Sequence, residues 1–184
     1  MEHLGTKRLE TKRLILRRFT LEDAAPMYRN WGSDSEVTAY LTWPTHSSLA
    51  ISQMVLDQWI KDYKHLNHYQ WAIALKEDEW NPIGSIGANY CDEDTRMAHL
   101  GYCTGKAWWH RGIVSEALQC VITYLLDEVG LNRVEAKHDV NNPNSGAVMK
   151  KCGMQYEGTL RQAGCNNQGI CDMSYYGVLA SDWN

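Results

Sequence analysis

The chain has 184 residues, 44% hydrophobic and 22% charged, with a formal net charge of −4. That length suits a single domain over residues 1–184, and the acidic balance argues against a general binder of nucleic acid or of acidic membranes. No apolar run reaches the ~18 residues of a membrane span and the N-terminus has no signal-peptide core, so a cytoplasmic protein is expected.

The basic run from Lys7-Arg8 through Lys12-Arg13 to Arg17-Arg18 reads as a solvated strand edge. Alternation over residues 14–19 predicts a first strand. Thr20, followed by Glu22 and Asp23, opens a short helix to about Asn30. Ser47 and Ser48 cap a second helix, in which Ile51, Met54, Val55, Gln58 and Trp59 recur at helical spacing to about Leu66. The period then changes to two. Residues 69–75, 82–90 and 97–104 read as strands separated by turns. Residues 112–129 form a long helix with Ile113, Ala117, Val121, Tyr124 and Leu125 on one face, stopped by Gly130 at a left-handed cap. A strand at 134–140, a short helix from Asn141-Asn142-Pro143 to Gly153, and strands at 154–161 and 171–179 complete the order. The pattern is a mixed α/β domain with one sheet of about seven strands.

Several chemistries are excluded by spacing. The six cysteines (Cys91, Cys103, Cys120, Cys152, Cys165 and Cys171) form no CxxC pair, and His65 and His68 lack a ligand partner nearby, so reduced thiols and no metal are expected. Gly101 to Ala107 is one residue short of a phosphate loop and has alanine where a hydroxyl should meet magnesium. Gly84 and Gly87 lie within a strand and read as packing glycines.

What remains is the start of the long helix, "AWWHRGIVSEAL". A helix N-terminus offers unpaired N–H groups and a partial positive charge, and a glycine there admits an anion to the backbone. Gly112 occupies that place, preceded by the basic pair His110-Arg111.

The runs "HLGYCTGKAWWHRGIVSEAL", "LNRVEAKHDVNNPNSGAVMKKCGMQYEGTLR" and "DMSYYGVLASDW", with "ETKRLILRRFTLEDA" near the N-terminus, resemble the GNAT acetyltransferases, in particular the RimJ/RimL-like branch that acetylates ribosomal proteins. The resemblance covers nearly the whole chain. It implies the GNAT fold, a mostly antiparallel sheet splayed at an acetyl-CoA site. Trp109, His110, Arg111, Gly112, Ile113, Val114 and Ser115 match the segment that holds the coenzyme A pyrophosphate. Tyr102, Cys103 and Thr104 match the strand that pairs with pantetheine. In the N-x-x-S match, Asn142 is implied to bond pantetheine and Ser145 to lie near the thioester sulfur; the same Asn-Pro-x-Ser run is also a good helix start. Tyr40 and Trp43, in "YLTWP", fall where the family builds its acceptor groove, and Trp43 equally suits a buried anchor.

Acetyl transfer to an amine needs an unprotonated amine, a polarised carbonyl and a proton for the departing thiolate. His99 stands where the branch has glutamate and is a candidate base, with Glu157 and a water chain as alternatives. Gly164 stands where the RimL type has a catalytic glutamate. Ser145 is the candidate acid, with Tyr156 a second choice. Cys103 reads as a core residue and not a nucleophile. The expected function is acetyl-CoA-dependent transfer to a primary amine, on a protein N-terminus or a small molecule, with a homodimer as the assembly considered. The alternative is a non-catalytic acyl-CoA sensor that keeps the cradle without the base.

Overall fold

A computed structural model of the protein describes residues 1–183. Its eight strands are β1 (Leu9–Glu10), β2 (Leu14–Arg17), β3 (Gln70–Leu75), β4 (Gly84–Asp92), β5 (Met97–Thr104), β6 (Arg133–Asp139), β7 (Gln155–Asn166) and β8 (Gly169–Leu179). They form one sheet in the order β1-β2-β3-β4-β5-β6-β8-β7. All neighbours are antiparallel except β5 and β6, which run parallel. The helices are α1 (Ala24–Met27), α2 (Ser35–Thr38), α3 (Leu49–Asp62), α4 (Ile113–Thr123) and α5 (Pro143–Lys151).

The sheet divides the core by strand alternation. Leu14, Leu16, Ile86, Ala98, Leu100, Val134, Ala136 and Val178 pack against Ile113, Ala117, Val121 and Leu125 of the α4 segment. A second cluster, with Phe19, Met27, Trp31, Leu56 and Ala72, joins the sheet to the α1 and α3 segments. The apolar face read for the long helix is thus the buried one. Gly130 takes φ +76 at its end, as a left-handed cap requires.

Four expectations change. The sheet has eight strands and not about seven, because the two-residue β1 is too short to show a period. The helix opened by Thr20 is a composite of a 3-10 turn, the single turn of α1 and a π turn over Tyr28–Gly32. The long helix also changes to a π turn at Tyr124–Glu128. The basic run is a solvated edge at Lys7, Arg8, Lys12, Arg13 and Arg18, all exposed, but not at Arg17. Arg17 is buried and holds Asp23 through two 2.8 Å hydrogen bonds, Arg8 pairs with Glu79, and Arg13 pairs with Glu116. Strand alternation turns Arg17 toward the α1 side, where Asp23 neutralises it.

β5 and β6 pair only from Met97↔Arg133 to Leu100↔Ala136, and beyond that point they part. On its other edge β5 stays paired with β4 to Gly84↔Thr104. Gly105 N–H donates to the Ile83 carbonyl at 2.9 Å. Backbone groups alternate along an antiparallel strand, so those of Tyr102 and Thr104 face the opening instead. The result is a wedge with a half-unpaired strand as one wall.

Candidate active site

A cavity of about 440 Å³ occupies this wedge. β5 contributes Tyr102, Cys103 and Thr104 to its wall. The following loop and helix start contribute Trp109, His110, Gly112, Ile113, Val114 and Ser115. α5 and its lead-in contribute Asn142 and Ser145, and Tyr40 stands at the far side. Arg111 lines a second cavity that adjoins the first around Gly112.

Local structure explains the helix start. Gly112 is the N-cap of α4 with φ +72, a left-handed conformation that glycine adopts freely. His110 is also left-handed, at φ +58. No N–H of residues 110–112 donates to a protein carbonyl among the described residues, so they stand free beside the first turn of α4. Around them are Arg13, Arg111, His110 and Lys151, with Glu116 as the one carboxylate. Arg13 already binds that carboxylate, its Nε 2.7 Å from Oε2. The position therefore favours an anion on both dipole and charge grounds.

The end of the cavity away from Gly112 is framed by Tyr102 and Ser145. Tyr102 Oη lies 3.0 Å from Ser145 Oγ and 3.1 Å from the Ser145 carbonyl oxygen. Burial pushes the Tyr102 phenol well above its ordinary value, so it stays protonated. Asn142 is the N-cap residue of α5, yet its side chain caps no helix N–H. Its amide faces the cavity unspent. Cys103 lies 3.5 Å from Ser85 Oγ, and burial raises its thiol, which opposes a nucleophilic role.

His99 lies on the sheet face opposite α4, outside the cavity wall. It is buried, stacks on Tyr90 with ring centroids 5.6 Å apart, and its Nδ1 is 2.9 Å from Glu135 Oε1. Burial lowers its pKa against the opposing pull of Glu135. The carboxylate fixes the tautomer: with Nδ1–H donated to it, Nε2 is the free lone pair, and no protein group bonds it. Four residues of extended strand, about 13 Å, separate His99 from Cys103. Glu157 is bonded at 2.6 and 2.5 Å to Arg133, which holds its carboxyl below the usual range and makes it a weak base. Tyr156 hydrogen-bonds Thr159 and does not line the cavity. Trp43 also lies outside the wall, packed on the His46 ring at 5.1 Å.

Among the wall residues that sequence reasoning missed are Glu36, Leu41, Trp108 and Lys151. Lys151 carried a weak signal: it ends the helix whose first turn carries Ser145. Glu36 and Leu41 carried none, because only the chain's return over the wedge brings them there.

Among the described residues, no group of His, Cys, Asp and Glu could hold a metal ion, and no helix is long and apolar enough to cross a membrane. The family model for the acetyltransferase (GNAT) domain matches residues 13–155. The chain is 31% identical over 179 residues to the uncharacterized N-acetyltransferase p20 of Bacillus licheniformis, covering 95% of this chain and 97% of that one. Over 104 residues it is 35% identical to the ribosomal-protein-serine acetyltransferase of Escherichia coli, 56% of this chain and 57% of that one. A solved structure of RimL, the ribosomal L7/L12 alpha-N-protein acetyltransferase, in complex with coenzyme A, shares the fold. Its TM-score is 0.84 at 20% identity, covering 94% of this chain and 98% of that one. With the parted strands and the helix-start cradle built on this matched segment, the chain belongs to the GNAT N-acetyltransferases.

Proposed function

We propose that the protein transfers the acetyl group of acetyl-CoA directly to a primary amine, with a protein N-terminus as the favoured acceptor class. The observation that carries this reading is one cavity joining a free helix N-terminus to a half-unpaired strand. An acyl-pantetheine arm of amides and a pyrophosphate is complementary to both. The pyrophosphate fits the free N–H groups around Gly112, with Trp109, His110, Arg111 and the start of α4 about it. The arm fits the open edge at Tyr102 and the Thr104 N–H, the Thr104 carbonyl being held by Trp109 Nε1 at 2.9 Å, and the Asn142 amide has bonding capacity to spare for it.

The remaining roles belong to this chain's side chains. A strand N–H aimed at the acyl carbonyl stabilises the charge that develops there. Tyr102 has a single proton; donated to the Ser145 carbonyl, it leaves the Ser145 hydroxyl available to protonate the departing thiolate. His99, kept neutral by burial and oriented by Glu135, draws the proton from the acceptor ammonium. Its distance from Cys103 requires water between the two. The acceptor enters past Tyr40, Glu36 and Leu41, where the Glu36 carboxylate is paired with Lys106 at 2.6 Å. Trp43 supports this wall from behind through its contact with His46.

The names of relatives that act on ribosomal proteins support a protein acceptor over a small amine. Thiol release with acetyl-CoA, tested against N-terminal peptides and small amines, decides the matter. Turnover with peptides supports the full reading, and turnover with small amines alone moves the acceptor class. Tight acetyl-CoA binding without turnover on any amine would make the protein a sensor.

A further inference from the structure

We propose that Arg13 is a positioning residue for the phosphate-binding loop: it holds the Arg111 carbonyl so that the Gly112 N–H is presented to the donor's phosphates. The inference rests on the acetyl-CoA reading above. It concerns a residue about a hundred positions away in sequence from the loop it serves.

The loop before α4 contains an uncommon pair. His110 and Gly112 are both left-handed, at φ +58 and +72, and bracket Arg111. Gly112 adopts this region without penalty, but a residue with a Cβ does not, so His110 must be held from outside. Arg13 supplies the restraint. Its Nη1 donates to the Arg111 carbonyl at 2.9 Å and its Nε to Glu116 Oε2 at 2.7 Å. Its backbone N–H donates to Glu116 Oε1 at 2.8 Å, and the Thr11 hydroxyl reaches the same oxygen at 2.5 Å. Glu116 lies in the first turn of α4. The connection between β1 and β2 is thereby fastened to both the loop and the helix that follows it.

The carbonyl and N–H of a trans peptide point in opposite directions. With the Arg111 carbonyl held by Arg13, the N–H of the same peptide, which belongs to Gly112, turns away from Arg13. No backbone carbonyl among the described residues accepts it. Arg13 lines only the second cavity, whereas Gly112 lines both. Turned away from Arg13, the N–H faces the side of the proposed donor. Without the clamp, the peptide can rotate and present its carbonyl to the phosphates.

Calorimetry with CoA and steady-state kinetics on a double-mutant cycle test this assignment. Arg13→Gln is expected to raise the Kd for CoA and the KM for acetyl-CoA about tenfold, with kcat at saturating donor within about twofold. In the His110→Gly background, the same Arg13→Gln change is expected to cost less than about twofold, because glycine takes the left-handed conformation without strain. Arg13→Lys keeps the charge but loses the fork; it should behave like Arg13→Gln, and serves if that variant does not fold. An undiminished loss in the His110→Gly background would mean that Arg13 acts as a charge on the phosphates, and overturns positioning. So does an Arg13 variant with the affinity of the parent protein. Failure of the parent protein to bind CoA overturns the donor reading itself, and positioning with it.

Discussion

Tyr102 on β5 and Ser145 on α5 meet across the parted strands, Oη to Oγ 3.0 Å apart, and join the two walls of the cavity. Ser145→Ala is expected to lower kcat modestly, since water can replace a hydroxyl donor, while leaving acetyl-CoA affinity nearly unchanged. Tyr102→Phe should cost less when Ser145 is already alanine than when it is serine, because Tyr102 acts by holding the Ser145 backbone and alanine has no hydroxyl to position. Steady-state kinetics on the two single variants and the pair measure this. Additive losses would show that the two hydroxyls work independently.

At Gly112 the expected effect is on binding. A Cβ there would stand 3.5 Å from Arg13 Nη2 and 3.7 Å from Lys151 Nζ. In Gly112→Asp the new carboxylate would therefore sit beside these two cations and repel an incoming phosphate, in a backbone conformation that glycine adopts more freely. Calorimetry on the folded variant should show at least tenfold weaker CoA binding, about 1.4 kcal/mol. Unchanged affinity would move the pyrophosphate elsewhere.

His99 gives a pH signature. Burial depresses its pKa, so its neutral form persists to lower pH than that of a free histidine. The limb of kcat/KM that rises with pH and belongs to the enzyme should therefore centre below about 6.5. The acceptor's own titration gives a second limb, which moves when an amine of different pKa is used. His99→Ala should remove the first limb and lower kcat by roughly 10²–10⁴ if the imidazole moves the proton. Retention of most of the rate would make His99 structural and leave the proton to water.

Stability should also depend on pH. Burial lowers the pKa of His46, His68 and His99 alike. Below about 6.5 the unfolded chain takes up protons that the folded chain resists, so acid favours unfolding through these groups. The Tm should be level above pH 7 and fall between about pH 6.5 and 5. A Tm that does not fall over that range contradicts the neutral burial of these rings.

The ion pair of Arg17 and Asp23 is buried at both ends. Asp23→Ala strands the guanidinium and should cost about 3–5 kcal/mol in denaturant unfolding. Replacing both by apolar residues should cost less than that single change, because no charge is then left unpaired. An Asp23→Ala variant as stable as the parent would mean that water reaches Arg17.

Much was legible wherever neighbours in sequence decide the outcome. The α4 segment shows its buried face through Ile113, Ala117 and Val121, and its ends through Gly112 and Gly130. The strand at Met97–Thr104 was read with its observed bounds, and the "NPNS" run marks the start of α5. These are periodicities and caps, whose physics acts within a few residues. The family pattern added the expectation of a phosphate cradle at a glycine whose left-handed backbone the structure shows.

Other features are contacts between segments far apart in the chain, and no local pattern encodes them. The pairing of His99 with Glu135 depends on parallel strands in a particular register. The burial of Arg17 depends on which sheet face the α1 segment covers, and the place of Trp43 behind the wall depends on packing against His46. Arg13 reaches Arg111 only because the β1–β2 connection ends beside α4. The sequence by itself determined most of the elements, the glycine at the helix start and the family, since each follows from short-range backbone propensity or a contiguous motif. Only the tertiary structure decided which side chains face the wedge and which are held by partners, because burial and hydrogen bonding depend on groups that the chain brings together from distant positions.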